Sequence, residues 1–88
     1  MKIKVELFGV CREFSKKDYI NFEFKNNITI KDLREKILEI VKQKFPKNKN
    51  YYEMVKKSAF SSKDEVVNDE FKIESNQTLS IIPPIGGG

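Results

Sequence analysis

The chain ends IIPPIGGG, and this is where its residue types could do chemistry. Glycine has no Cβ, so Gly86, Gly87 and Gly88 form a thin strip that can thread a channel too narrow for side chains. The free α-carboxylate of Gly88 would then stand at the far end. Pro83 and Pro84 fix φ near about −65° and hold the departing chain extended. From Pro83 to Gly88, at about 3.3 Å per residue, the tail reaches roughly 20 Å. A frayed terminus has no need of a stiff spacer joined directly to a strand, so the tail is read as built to project. The rest of the chain is poor in catalysts. It holds no histidine and a single cysteine, Cys11. That excludes Ser–His and Cys–His pairs, most zinc sites and an internal disulfide framework. With 88 residues, it has no room for a nucleotide fold or two lobes around a cleft. Action by binding, or by being acted upon, is expected, rather than catalysis by this chain alone.

Charge is unevenly distributed. Residues 42–57 carry six lysines against one acid, Glu53, a local +5 in a chain of formal net charge +4, so the remainder is −1. Pro46 and two asparagines mark this basic stretch as mostly loop, a solvated face or a rim for an acidic partner. A nucleic-acid binder would spread its charge along a recognition element, and none is expected here. The acids at 64–74 lack calcium-loop spacing and are expected to face solvent, and no metal site is expected. Cys11 suits a small buried hydrophobe, with a persulfide-bearing role as the alternative. Tyr51 and Tyr52 suit packing of a short helix. No apolar run reaches the ~20 residues of a membrane span, and MKIKVELFG lacks a signal-peptide pattern, so a cytoplasmic protein without membrane contact is expected.

The elements that must position the tail follow from periodicity. Residues 2–10 alternate, with Ile3, Val5 and Leu7 on one side and Lys2, Lys4, Glu6 and Phe8 on the other, which predicts a half-buried strand. Residues 11–17 suit a short turn or helix. A second strand at 19–24 turns Ile20, Phe22 and Phe24 inward. Thr29 and Asp32 have capping spacing, and Leu33, Ile37, Ile40 and Val41 then recur at helical spacing until Pro46. Residues 51–57 add a helical turn or two. Short strands follow near 58–62 and 65–67, a turn at 74–77 and a last strand at 78–82. This α+β order, two strands, a main helix and further strands, resembles a ubiquitin-like β-grasp. In that fold a mixed sheet of four to five strands has its first and last strands parallel at the centre. Residues 1–82 are expected to form this domain, and 83–88 a flexible extended tail.

TLSIIPPIGGG resembles the ending of the MoaD family, the small subunit of molybdopterin synthase, with its strand, two prolines and Gly-Gly. KIKVELFGVCREF, TIKDLREKI and FKIESNQTLSIIPP are similar to that family too, so the resemblance covers nearly the whole chain. Gly86 departs from the pattern, standing where Ala or Ser is common. The resemblance implies a non-catalytic small subunit and sulfur carrier. A ubiquitin-activator-like enzyme, using ATP and Mg that this chain does not itself bind, would adenylate Gly88. A sulfur donor would convert it to a thiocarboxylate. The tail, Pro83, Pro84, Ile85, Gly86 and Gly87, would thread the large subunit of molybdopterin synthase and deliver sulfur to a pterin precursor.

Alternation adds a docking expectation. Phe8 and Ile82 both fall on polar faces, and neighbouring strands would join them into an apolar anchor beside the tail. A ThiS-like carrier for thiazole synthesis, a protein modifier, and a β-grasp binding module using residues 42–57 are the alternatives.

Overall fold

The computed structural model describes residues 1–84. In chain order it contains β1 (Lys2–Leu7), a 3-10 turn (Gly9–Phe14), β2 (Tyr19–Glu23), β3 (Ile28–Thr29), α1 (Ile30–Lys44), α2 (Lys49–Lys57), β4 (Ala59–Ser62), β5 (Glu65–Val67), β6 (Lys72–Ile73) and β7 (Gln77–Ile82). In β1 the alternation buries Ile3, Val5 and Leu7 and exposes Lys2, Lys4 and Glu6. A period of two can present one apolar face only as a strand. The five-stranded sheet has the order β2-β1-β7-β4-β5. Its first and last strands are parallel neighbours, in register from Ile3 opposite Gln77 to Leu7 opposite Ile81, and all other pairs are antiparallel. This is the expected α+β, β-grasp plan.

Helix α1 begins at a capping box. The Thr29 hydroxyl accepts from the Asp32 amide, and the Asp32 carboxylate accepts from the Thr29 amide at 2.9 Å. Ile30, Leu33, Ile37 and Val41 are then buried along one stripe. They pack into one core with Ile3, Val5, Leu7, Phe60, Leu79 and Ile81. Removing such side chains from water contributes about 2 kcal/mol each, so the stripe fixes the helix to the sheet. No helix among the described residues is long and apolar enough to cross a membrane.

Several expectations need correction. Strand β1 stops at Leu7 rather than continuing to residue 10, because Gly9 takes φ +56° and turns the chain. Residues 42–57 are mainly helical, not loop. Lys42 and Lys44 close α1, and the Asn48 side chain accepts from the Tyr51 amide at 3.0 Å and starts α2 at Lys49. The asparagine that suggested a loop is an N-cap. Ile20, Phe22 and Phe24 are only half-buried, since β2 is an outer strand. The two-residue ladder β3–β6, pairing Ile28 with Ile73, is too short to show any period.

Candidate functional site

The tail leaves the middle of the sheet. β7 is hydrogen-bonded on both sides, to β1 and to β4, and ends at Ile82, immediately before Pro83 and Pro84. The departure point is therefore anchored by two ladders. Carrying the β1–β7 register one residue beyond Leu7 and Ile81 sets Phe8 beside Ile82. Both are on the outer face and substantially exposed, at 42% and 37%. Ile82 also lies opposite half-buried Ala59 of β4. The two expected docking residues are thus brought together at the base of the tail. Ile85, Gly86, Gly87 and Gly88, which carry the expected threading and the reactive carboxylate, lie outside the described residues.

Gly9, which sequence patterning passes over, belongs to this site. Its positive φ disfavours any residue with a Cβ, and a Cβ there would stand 3.0 Å from Cγ of Pro83. The turn after β1 and the first tail residue are packed to the limit that glycine allows. Val10 follows, 37% exposed.

On the other side of the tail base stands α2. Asn50, Glu53, Met54 and Lys57 follow i, i+3, i+4, i+7 spacing, which gathers them on one stripe of the helix. Together with Val10 and the two prolines, this stripe lines a groove of about 690 Å³. Glu53 is drawn to Lys56 at 3.9 Å, while Lys57 has no ion pair among the described residues.

Arg34 of α1 holds α2 in place. Its Nη1 donates to the carbonyls of Val55 (2.7 Å), Lys56 (3.2 Å) and Ser58 (2.7 Å). These include carbonyls that a helix end leaves without intrahelical partners, and a cation there also suits the helix dipole. Nη2 pairs with Asp69 at 2.9 Å, and the guanidinium lies 5.0 Å from the centre of the Phe60 ring. Asp69 is therefore a structural partner rather than one of the simply solvated acids expected at 64–74. Nothing local in the sequence marks Arg34, because its partners come from α2 and the segment before β6.

Cys11 is fully buried, and burial pushes its thiol up to about 11, partly offset by Ser58. At neutral pH it is protonated and shielded, which fits packing and not sulfur chemistry. Tyr51 packs edge-on to Phe14 and Phe45, with ring centres 5.7 and 5.0 Å away. A hydrogen bond with Glu13, with smaller contributions from burial and the Glu13 charge, raises its phenol above the ordinary value. Lys42 and Lys56 lie over the Tyr52 ring, and the Lys44 ammonium donates to the Phe14 carbonyl at 3.0 Å. Much of the basic segment is engaged in holding its own helices.

The model of the ThiS family matches residues 5–88. No curated protein matches the chain. Among solved structures, a protein described as molybdopterin converting factor, subunit 1, from Pyrococcus furiosus is similar, at 17% identity and a TM-score of 0.67, over 96% of this chain and 98% of that one. SAMP1 from Haloferax volcanii is similar at 15% identity and a TM-score of 0.67, over 100% of both chains. At these identities the likeness is one of fold, the ubiquitin-like β-grasp. The family match extends from the central strand pair through both helices to the glycines of the tail, and the chain belongs to the ThiS family.

Proposed function

We infer that this chain is a sulfur carrier for molybdopterin synthesis and that the carboxylate of Gly88 is its reacting group. The observation that carries the reading is the tail base: Pro83 and Pro84 continue the central strand β7, flanked by exposed Phe8 and Ile82. A carboxylate is a poor electrophile, so it needs activation. In this reading, an adenylating partner with ATP and Mg joins it to the α-phosphorus and releases pyrophosphate. Hydrosulfide from a sulfur donor attacks the acyl carbon, AMP leaves, and a thiocarboxylate remains, with the sulfur proton lost to solvent. The large subunit of molybdopterin synthase then receives the tail through Pro83, Pro84, Ile85, Gly86 and Gly87 and passes the sulfur to the pterin precursor. The carrier itself supplies no catalytic side chain and binds no cofactor.

A thiazole-synthesis carrier is the second reading, favoured by the family whose model matches. In favour of the molybdopterin reading stand the paired prolines and the extra segment at 46–62, which shorter ThiS-like chains usually lack. The thiocarboxylated chain, given to a molybdopterin synthase large subunit and to a thiazole synthase, separates the two. Sulfur reaching the pterin precursor is expected. Transfer only to the thiazole would assign the chain to the second pathway.

A further inference from the structure

Docking by Phe8 and Ile82 accounts for the outer face of the sheet but leaves α2 without a role beyond packing. Its stripe of Asn50, Glu53, Met54 and Lys57 faces the groove at the tail base. Pro83 and Pro84 themselves line it, so a protein that takes in the tail meets this groove at the tail base. The groove has apolar walls at Val10, Met54 and the prolines. Of its two charged residues, Glu53 is drawn to Lys56 at 3.9 Å, and Lys57 has no ion pair among the described residues. Lys47 and Lys49 of the same basic segment also have no ion pair among the described residues.

We propose that this groove is a second docking strip, occupied by a partner protein whose channel mouth presents an acidic side chain to Lys57 and an apolar one to Val10 and Met54. It rests on the sulfur-carrier reading and adds to it a surface that selects which partner receives the tail. Arg34 takes part only by fixing the orientation of α2. The attraction is a rim interaction, so it should act on encounter and depend on salt.

The probe is the adenylating enzyme of the same organism, assayed by ATP-dependent pyrophosphate exchange against carrier concentration. Lys57→Glu is expected to raise KM about fivefold and flatten its dependence on salt, with Lys57→Arg restoring both. Asn50→Tyr, which fills the groove from an exposed position without changing its charge, is expected to raise KM as well. Unaltered melting temperatures confirm that each variant is folded. A Lys57→Glu chain with the parent KM and salt dependence would overturn the proposal, as would self-association of the parent through this groove, detected as a dimer that Asn50→Tyr disperses. A chain carrying one residue after Gly88 separates the two levels. If it is inactive while the groove variants behave like the parent, the carrier reading stands and the docking strip falls. If it still supports exchange, the carrier reading fails and the docking strip fails with it.

Discussion

Gly9 shows how a single residue shapes the base of the tail at Pro83. Its φ of +56° costs a residue with a Cβ about 1 kcal/mol or more, and the Pro83 ring closes off the space a methyl would need. Gly9→Ala is therefore expected to destabilise the fold by roughly 1–2 kcal/mol, read as a lower urea midpoint with unchanged slope. The contact joins opposite ends of the chain, so no local pattern could reveal it. Phe8 and Ile82 were legible because each breaks the polar alternation of its strand, a signal contained in a few residues. Cys11 gives a pH test. Its folded pKa, about 11, lies above the ordinary thiol value of 9.0, so between those values the unfolded chain loses its proton first. The contribution to stability is whole below about pH 9 and declines as pH rises through 11, by at most about 2–3 kcal/mol. Denaturation at pH 8 and pH 11 should show a smaller fall for Cys11→Ala than for the parent.

Among elements, β1, α1 and β7 could be read directly, since each is long enough for its period to show and α1 carries its own cap. What escaped were the β3–β6 ladder and the clamp of Arg34, whose partners are distant in sequence, and the start of α2 at Lys49, where Asn48, a residue type that suggests loop, is an N-cap. Arg34 offers the sharpest test at this scale. Asp69 is partly exposed, so the ion pair itself contributes little. The larger loss comes from the carbonyls of Lys56 and Ser58, which Arg34→Met would leave without the Arg34 donor, while that of Val55 would keep only the Ser58 amide at 3.3 Å. That change is expected to cost about 2–3 kcal/mol. Hydrogen exchange should locate the loss in α2, whose amides would exchange faster while those of β1 and β7 keep their relative protection. Equal acceleration throughout would show that Arg34 supports the whole core and not this helix.

At the scale of the whole molecule, the elements converge on the base of the tail at Pro83 and Pro84. The last strand is tied on both sides within the sheet, an exposed aromatic follows its neighbour β1, and α2 walls the remaining side of the exit. The α+β plan and the tail were legible because hydrophobic periodicity and the Pro-Pro-x-Gly-Gly-Gly ending are written in consecutive residues. The groove was not, because it exists only where the turn after β1, the stripe of α2 and the tail base meet. The central claim concerns the Gly88 carboxylate, and intact-mass measurement tests it most directly. The chain is incubated with ATP, its adenylating enzyme and a sulfur source, and the terminal peptide is then sequenced by fragmentation. The account predicts a mass gain equal to one oxygen replaced by one sulfur, located at Gly88. An unchanged mass in the presence of an enzyme shown to be active, or sulfur found on Cys11 instead, would contradict it.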